Sequence, residues 1–145
     1  MKKLYIYIIG VVLLMAGCDV ESSSNGDLDG FWQMTARSDK YTDVGARDMR
    51  ESGLTWSFQG KLLELRDVND RQKDIVMSFE HVGNQLRLYN PYLVERDSED
   101  IIVSDLEVLL PYGISQTDGK YDVVELSGDR MVLENERFLL KFRKY

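Results

Sequence analysis

The sequence predicts an all-β domain: an antiparallel up-and-down β-barrel of about eight strands, with one short helix before the C-terminal strands. Three features carry that expectation. Apolar residues recur at every second position, the alternating runs are short, and turn-forming residues separate them. A sheet with one apolar face must bury it, and closing the sheet on itself removes the edges that invite aggregation.

Taken in order, Gly30 to Ala36 puts Trp32, Met34 and Ala36 on one side and Gln33 and Thr35 on the other. Arg37 to Ser52 follows as a long connection with few apolar anchors. Loops of such length in compact domains are binding loops, lids or slack. Leu54, Trp56 and Phe58 share a face, and a Gln59-Gly60 turn leads to Leu63 and Leu65. Ile75, Met77 and Phe79 alternate with Ser78 and Glu80, and Gly83-Asn84 turns the chain toward Leu86 and Leu88. Ser104-Asp105-Leu106-Glu107 reads as a capping box, followed by Val108-Leu109-Leu110 and a stop at Pro111. A short helix over Asp105–Leu110 is therefore expected, plugging one end or covering an edge strand. Whether Ile101–Val103 joins the sheet is left open. Val124 and Leu126 precede the Ser127-Gly128-Asp129 turn, and Met131 and Leu133 come after it. Phe138, Leu140 and Phe142 then face away from Leu139, Lys141 and Arg143.

The N-terminal end follows a different pattern. Lys2 and Lys3 precede the apolar run Leu4–Met15, and Ala16-Gly17 stands before Cys18, the one cysteine of the chain. This is the order of a secretory signal with a small-residue cleavage site. The run is too short to span a bilayer, which takes about 20 residues. With cysteine as the first mature residue, the segment resembles the lipobox of bacterial lipoproteins. That resemblance implies diacylation of Cys18, cleavage after Gly17 and attachment to membrane lipid. The expected organisation is a signal peptide over residues 1–17, a lipidated cysteine and flexible tether over 18–29, and a barrel domain over 30–145. Asp19 to Asp29 is acidic and serine-rich, and as a coil it would reach roughly 15–20 Å.

Without residues 1–17 the chain keeps 128 residues, enough for one domain with a real core. It then carries 16 basic and 25 acidic residues, a formal charge of −9. That balance disfavours nucleic acid, whose binding rests on cations neutralising phosphates. It also leaves anchoring on anionic lipid to the acyl chains. Disulfides, cysteine nucleophiles and thiolate metal sites are excluded in the mature domain.

Catalytic patterns are sparse. His81, the sole histidine, reads as a surface or turn residue. No histidine and carboxylate set has zinc spacing, and there is no glycine-rich phosphate loop. Glu64 and Glu80 are the carboxylates a glycosidase pair would draw on, but the alternation turns both away from the apolar face. The acidic loops Asp67–Asp74 and Glu95–Asp100 lack the spacing of a calcium loop and read as solvated hairpin tips. The sequence assigns no catalytic residue, no metal and no cofactor, and reads as a non-enzyme.

Gly30-Phe31-Trp32 reproduces the Gly-x-Trp of the first lipocalin strand. Pro111-Tyr112-Gly113-Ile114, Leu126, Arg130-Met131-Val132-Leu133 and Leu140-x-Phe142-Arg143-Lys144-Tyr145 complete a pattern over about residues 28–145. The chain resembles the small lipocalin-like lipoproteins of Gram-negative gut anaerobes, many of unknown function. It lacks a lipocalin disulfide and a long helix after the barrel, and Thr117-Asp118 only echoes the second lipocalin motif. The resemblance implies that Gly30 and Trp32 form the barrel base, with Arg143 or Arg137 over the Trp32 ring. It also implies a cell-envelope protein held at the outer membrane, its face left open.

Two functions follow as expectations. In the first, Trp56, Phe58, Met77 and Phe79 line a site for a small apolar or amphipathic ligand, with Arg37–Ser52 at its mouth. Inward aromatics and methionines equally suit a filled core. In the second, the core is solid and exposed Tyr41, Tyr89, Tyr92 and Tyr112 help loops bind a protein or glycan. Oligomeric state is left open.

Overall fold

The computed structural model describes residues 25–42, 45–95 and 101–145; residues 1–17, Cys18 and the first part of the tether lie outside the described residues. The strands are β1 (Gly30–Asp39), β2 (Arg47–Asp48), β3 (Leu54–Gln59), β4 (Leu62–Asp67), β5 (Ile75–Val82), β6 (Gln85–Leu93), β7 (Ile101–Ile102), β8 (Gly119–Leu126), β9 (Arg130–Glu134) and β10 (Phe138–Lys144). Eight of them form a closed antiparallel barrel in the order β1-β3-β4-β5-β6-β8-β9-β10, with β10 pairing back onto β1. β2 pairs with β1 above the end of β3, and β7 adds Ile101 and Ile102 beside Leu93 and Tyr92. Ile101–Val103 thus joins the sheet through its first two residues.

Period-two burial holds along β4, β5, β9 and β10, which is why alternation makes these segments legible. At the Gly83-Asn84 turn, Gly83 sits at φ +58, a conformation that costs a side chain strain. The core runs the length of the barrel, from Leu28 and Trp32 at the base to Leu109 and Tyr112 at the mouth.

Three corrections come from bulges and ends. β1 does not stop at Ala36: it continues to Asp39, with a register shift between Met34 and Ala36. Met34 opposes buried Phe142, but Ala36 opposes exposed Lys141, and Arg37 and Asp39 oppose buried Leu140 and Phe138. The extra residue flips the alternation, so Arg37 and Asp39, not Ala36, face the barrel mouth. A second shift, between Val123 and Glu125, leaves Val124 exposed. Finally, the folded domain starts before Gly30. Gly26–Leu28 forms a 3-10 turn, and Leu28 is completely buried, so residues 25–29 belong to the base and not to the tether.

The helix is α1 (Leu106–Leu109), continued by a 3-10 turn over Leu110–Tyr112. Asp105, not Ser104, is its cap: the Asp105 carboxylate accepts from the Glu107 amide at 2.9 Å. Pro111 sits inside the 3-10 turn instead of stopping the helix before it, because the first turn needs no amide from proline.

Candidate functional site

The four expected ligand-binding residues lie together inside the barrel. Trp56 packs on Phe142 with centroids 4.9 Å apart, and Phe58 meets Phe79 edge-on at 5.0 Å. Trp56 and Met77 are fully buried, and Phe58 and Phe79 nearly so. Hollows of about 180, 220, 320 and 450 Å³ lie on the outside or rim of the barrel, and none of the four residues lines them. Beneath the rim, beside Leu88, Ile114 and Tyr121, a space of about 10 Å³ remains, room for at most one water. Among the described residues no buried side-chain nitrogen or oxygen lacks a partner. Ligand pockets usually keep a few convergent polar groups for their occupant; this core holds none in reserve.

At the base, Trp32 Nε1 donates to the Leu28 carbonyl at 2.8 Å. The cation over the Trp32 ring is Lys144, with Nζ 4.8 Å from the centroid, and not Arg143 or Arg137. Lys144 is the register partner of Trp32, whereas Arg143 faces outward beside Phe142 and donates to Gln33 Oε1. Arg137 stands at the opposite end, hydrogen-bonded to Asp39 and over the Tyr41 and Phe138 rings. Gly30 starts β1 at the base, at φ +120 with the Lys144 stem beside it.

The mouth is covered by the chain's own Val103–Ile114 segment. Val103, Leu109, Tyr112 and Ile114 are buried there. The segment's carbonyls are gripped from the barrel wall: Trp56 Nε1 donates to Tyr112 O, Tyr121 Oη to Gly113 O, and Arg37 Nη1 to both Leu110 O and Pro111 O. Tyr112 in turn donates to Lys73 O at 2.7 Å, tying the cover to the β4–β5 loop. Burial pushes the Tyr121 hydroxyl pKa up; burial, then the charges of Asp74 and Asp67, does the same for Tyr112. Both phenols stay donors across the physiological range. The segment needs Gly113 at φ +83, where an added Cβ would come within 2.7 Å of the Leu140 side chain.

Beside this cover lies the 180 Å³ cleft, lined by Arg37, Asp39, Thr42, Gly45 and Arg47. Arg37 and Arg47 are direct register partners. The Arg37 pKa is lowered, first by burial and then by the Arg47 charge. Asp39 is held below the ordinary carboxylate range chiefly by hydrogen bonding from Arg137, whose Nη2 lies 3.1 Å from Asp39 Oδ2.

Other candidates are scattered. Glu64 is exposed on β4, and Glu80 is exposed on β5 beside Arg87, 3.6 Å away. His81 is half-buried near the end of β5. Among the described residues no three His, Cys, Asp or Glu side chains cluster to hold a metal. Tyr41 is exposed, and Tyr89 and Tyr92 are half-buried. Tyr112 is fully buried, a correction to its expected exposure: the covering segment is held to the wall by Trp56 Nε1 on the Tyr112 carbonyl, and the Tyr112 hydroxyl reaches the β4–β5 loop. Asp67 is also no solvated tip; it is buried, accepting from the amides of Asn69, Arg71 and Gln72. An Asp opening a polar turn is the sequence signal for such a loop cap. Arg37 and Asp39 had no such signal, because only the bulge turns them inward.

The chain matches the family model of the lipocalin-like domain over residues 13–145. Among solved structures it is similar to a lipocalin-like protein from Bacteroides uniformis, 20% identical, with a TM-score of 0.61 over 83% of this chain and 100% of that one. It is also similar to an uncharacterized protein from Bacteroides eggerthii, 17% identical, with a TM-score of 0.52 over 81% and 99%. No curated protein matches the chain. The protein belongs to the lipocalin-like domain family.

Proposed function

We propose that this lipocalin-like chain is a lipid-anchored, non-catalytic binding protein of a bacterial envelope, held at the outer membrane through Cys18. It takes a small amphipathic molecule at the covered mouth of its barrel. The observation that carries this reading is that the cleft between Arg37 and Arg47 lies beside the mouth cover, while the aromatic interior is occupied by its own side chains. A ligand with a polar end and an apolar body would meet the charged cleft first and the Leu109–Tyr112 cover next.

The anchor is tested by Cys18→Ser, expected to abolish acyl labelling and membrane retention; a variant that still labels with palmitate overturns it. Mouth binding is tested by native mass spectrometry of the full chain isolated from its host's envelope. A defined extra mass lost on denaturation is the expected result, and a bare protein mass counts against it. A filled core also favours a second reading, in which the exposed loops bind a protein or glycan. Crosslinked partners recovered together with a bare protein mass would select that reading.

A further inference from the structure

We infer that the cleft at the mouth is a site for a tetrahedral oxyanion, a phosphate or sulfate group, held between Arg37 and Arg47. This deepens the proposed function and rests on it. The first observation is the register: Arg37 opposes Arg47 directly across the β1–β2 pair. Opposed side chains on an antiparallel pair have Cβ atoms about 4.5–5.5 Å apart, and like charges so placed destabilise the pair. A sheet pairing that sets two guanidinium groups together works against folding unless an anion joins them.

The second observation is how the nearby charges are spent. Among the described residues Asp39 is the one carboxylate lining the cleft, and it is engaged by Arg137. Among the described residues there, Arg37, Arg47 and Arg137 therefore share one acid, in a chain whose formal net charge is −7. Among the described residues the Arg47 side chain has no hydrogen bond or ion pair. Arg50, three residues on, is by contrast committed to Asp48 at 2.6 Å. The third observation is space. The cleft of about 180 Å³ admits an oxyanion and a few attached atoms, with the Thr42 hydroxyl at its wall. Two guanidinium forks arriving from neighbouring strands suit acceptors spread in three dimensions. Arg37 spends Nη1 on Leu110 O and Pro111 O, so an anion on its remaining N–H groups would bear on the covering segment too.

The test is calorimetric titration of the full chain in neutral detergent with inorganic phosphate, inorganic sulfate and hexyl phosphate, at ionic strength balanced with chloride. Saturable binding of at least one probe is expected. Arg47→Gln and Arg37→Gln should each weaken it tenfold or more, and Arg50→Gln should leave it unchanged. Arg47→Gln decides, since Arg37→Gln also releases the cover. Hexyl phosphate binding at least tenfold tighter than inorganic phosphate assigns the anion to the head of an amphiphile; equal affinities assign it to a free oxyanion. No saturable binding of any probe, or equal binding by Arg47→Gln and the unaltered chain, overturns the site. If a host molecule copurifies equally with Arg47→Gln, mouth binding stands and the oxyanion site alone falls.

Discussion

The two ends of this barrel are both closed, but by different means. The base is sealed by side chains from segments adjacent in the barrel: Leu28 beneath Trp32, Lys144 over the Trp32 ring, and tight turns at Gly60 and Gly83. The mouth is sealed by a distant stretch of chain, Val103–Ile114, whose carbonyls are held by Arg37, Trp56 and Tyr121. Burial of apolar surface is non-directional and grows with area, so the base is firm without special geometry. Hydrogen bonds to a loop's carbonyls are directional and contribute little each, so the mouth depends on several at once. The base rests chiefly on buried side chains; the mouth adds directional bonds to its own buried Leu109, Tyr112 and Ile114, and the proposed ligand would act on those bonds.

That contrast can be broken, starting with its strongest element. Trp32→Ala removes a fully buried ring and its hydrogen bond at the base, and is expected to cost about 3–5 kcal/mol in urea unfolding. A loss below about 1 kcal/mol would mean the base is not the foundation described. Tyr121→Phe deletes one mouth bond to Gly113 O and should cost about 1–2 kcal/mol. Hydrogen exchange should quicken over residues 103–114 and stay unchanged at the base; uniform quickening would show the ends to be one cooperative unit.

The smallest effect sharpens the electrostatics of the mouth. Arg137 lowers the Asp39 pKa, so their pairing adds stability that is fully present above about pH 4, the ordinary carboxylate value, and is lost as pH falls through the lowered one. Arg137→Gln is expected to cost no more than about 1 kcal/mol at neutral pH, shrinking below about pH 4. An undiminished loss in acid would assign the effect to Arg137 packing on Phe138 and Tyr41 instead.

The ends also differ in what could be read from sequence. The base announces itself through Gly30-Phe31-Trp32, and the alternation of β10 places Phe142 inward. Even there the cation was misassigned, because choosing Lys144 over Arg143 depends on register with Trp32. The mouth was partly legible: a short helix near Leu106–Leu109 follows from the Ser104–Glu107 capping pattern and Pro111, whereas the choice of plugging an end over covering an edge strand came from the structure. The cleft was not. Arg37 reads as the start of a loop, and a bulge near Thr35 leaves no mark in the sequence, because the residues beyond it, Arg37, Ser38 and Asp39, are all polar.

By itself the sequence determined that the chain builds a closed antiparallel barrel with an aromatic core, because alternation and turn chemistry are local and repeat along the chain. It also carried an N-terminal pattern around Cys18 that resembles a lipobox. Tertiary structure decided the rest. It selected which residues cover the mouth, which cation stacks on Trp32, and that Arg37 and Arg47 stand opposed in one cleft. Those outcomes depend on register and on a single inserted residue, and one position of shift exchanges the inside of a strand for its outside.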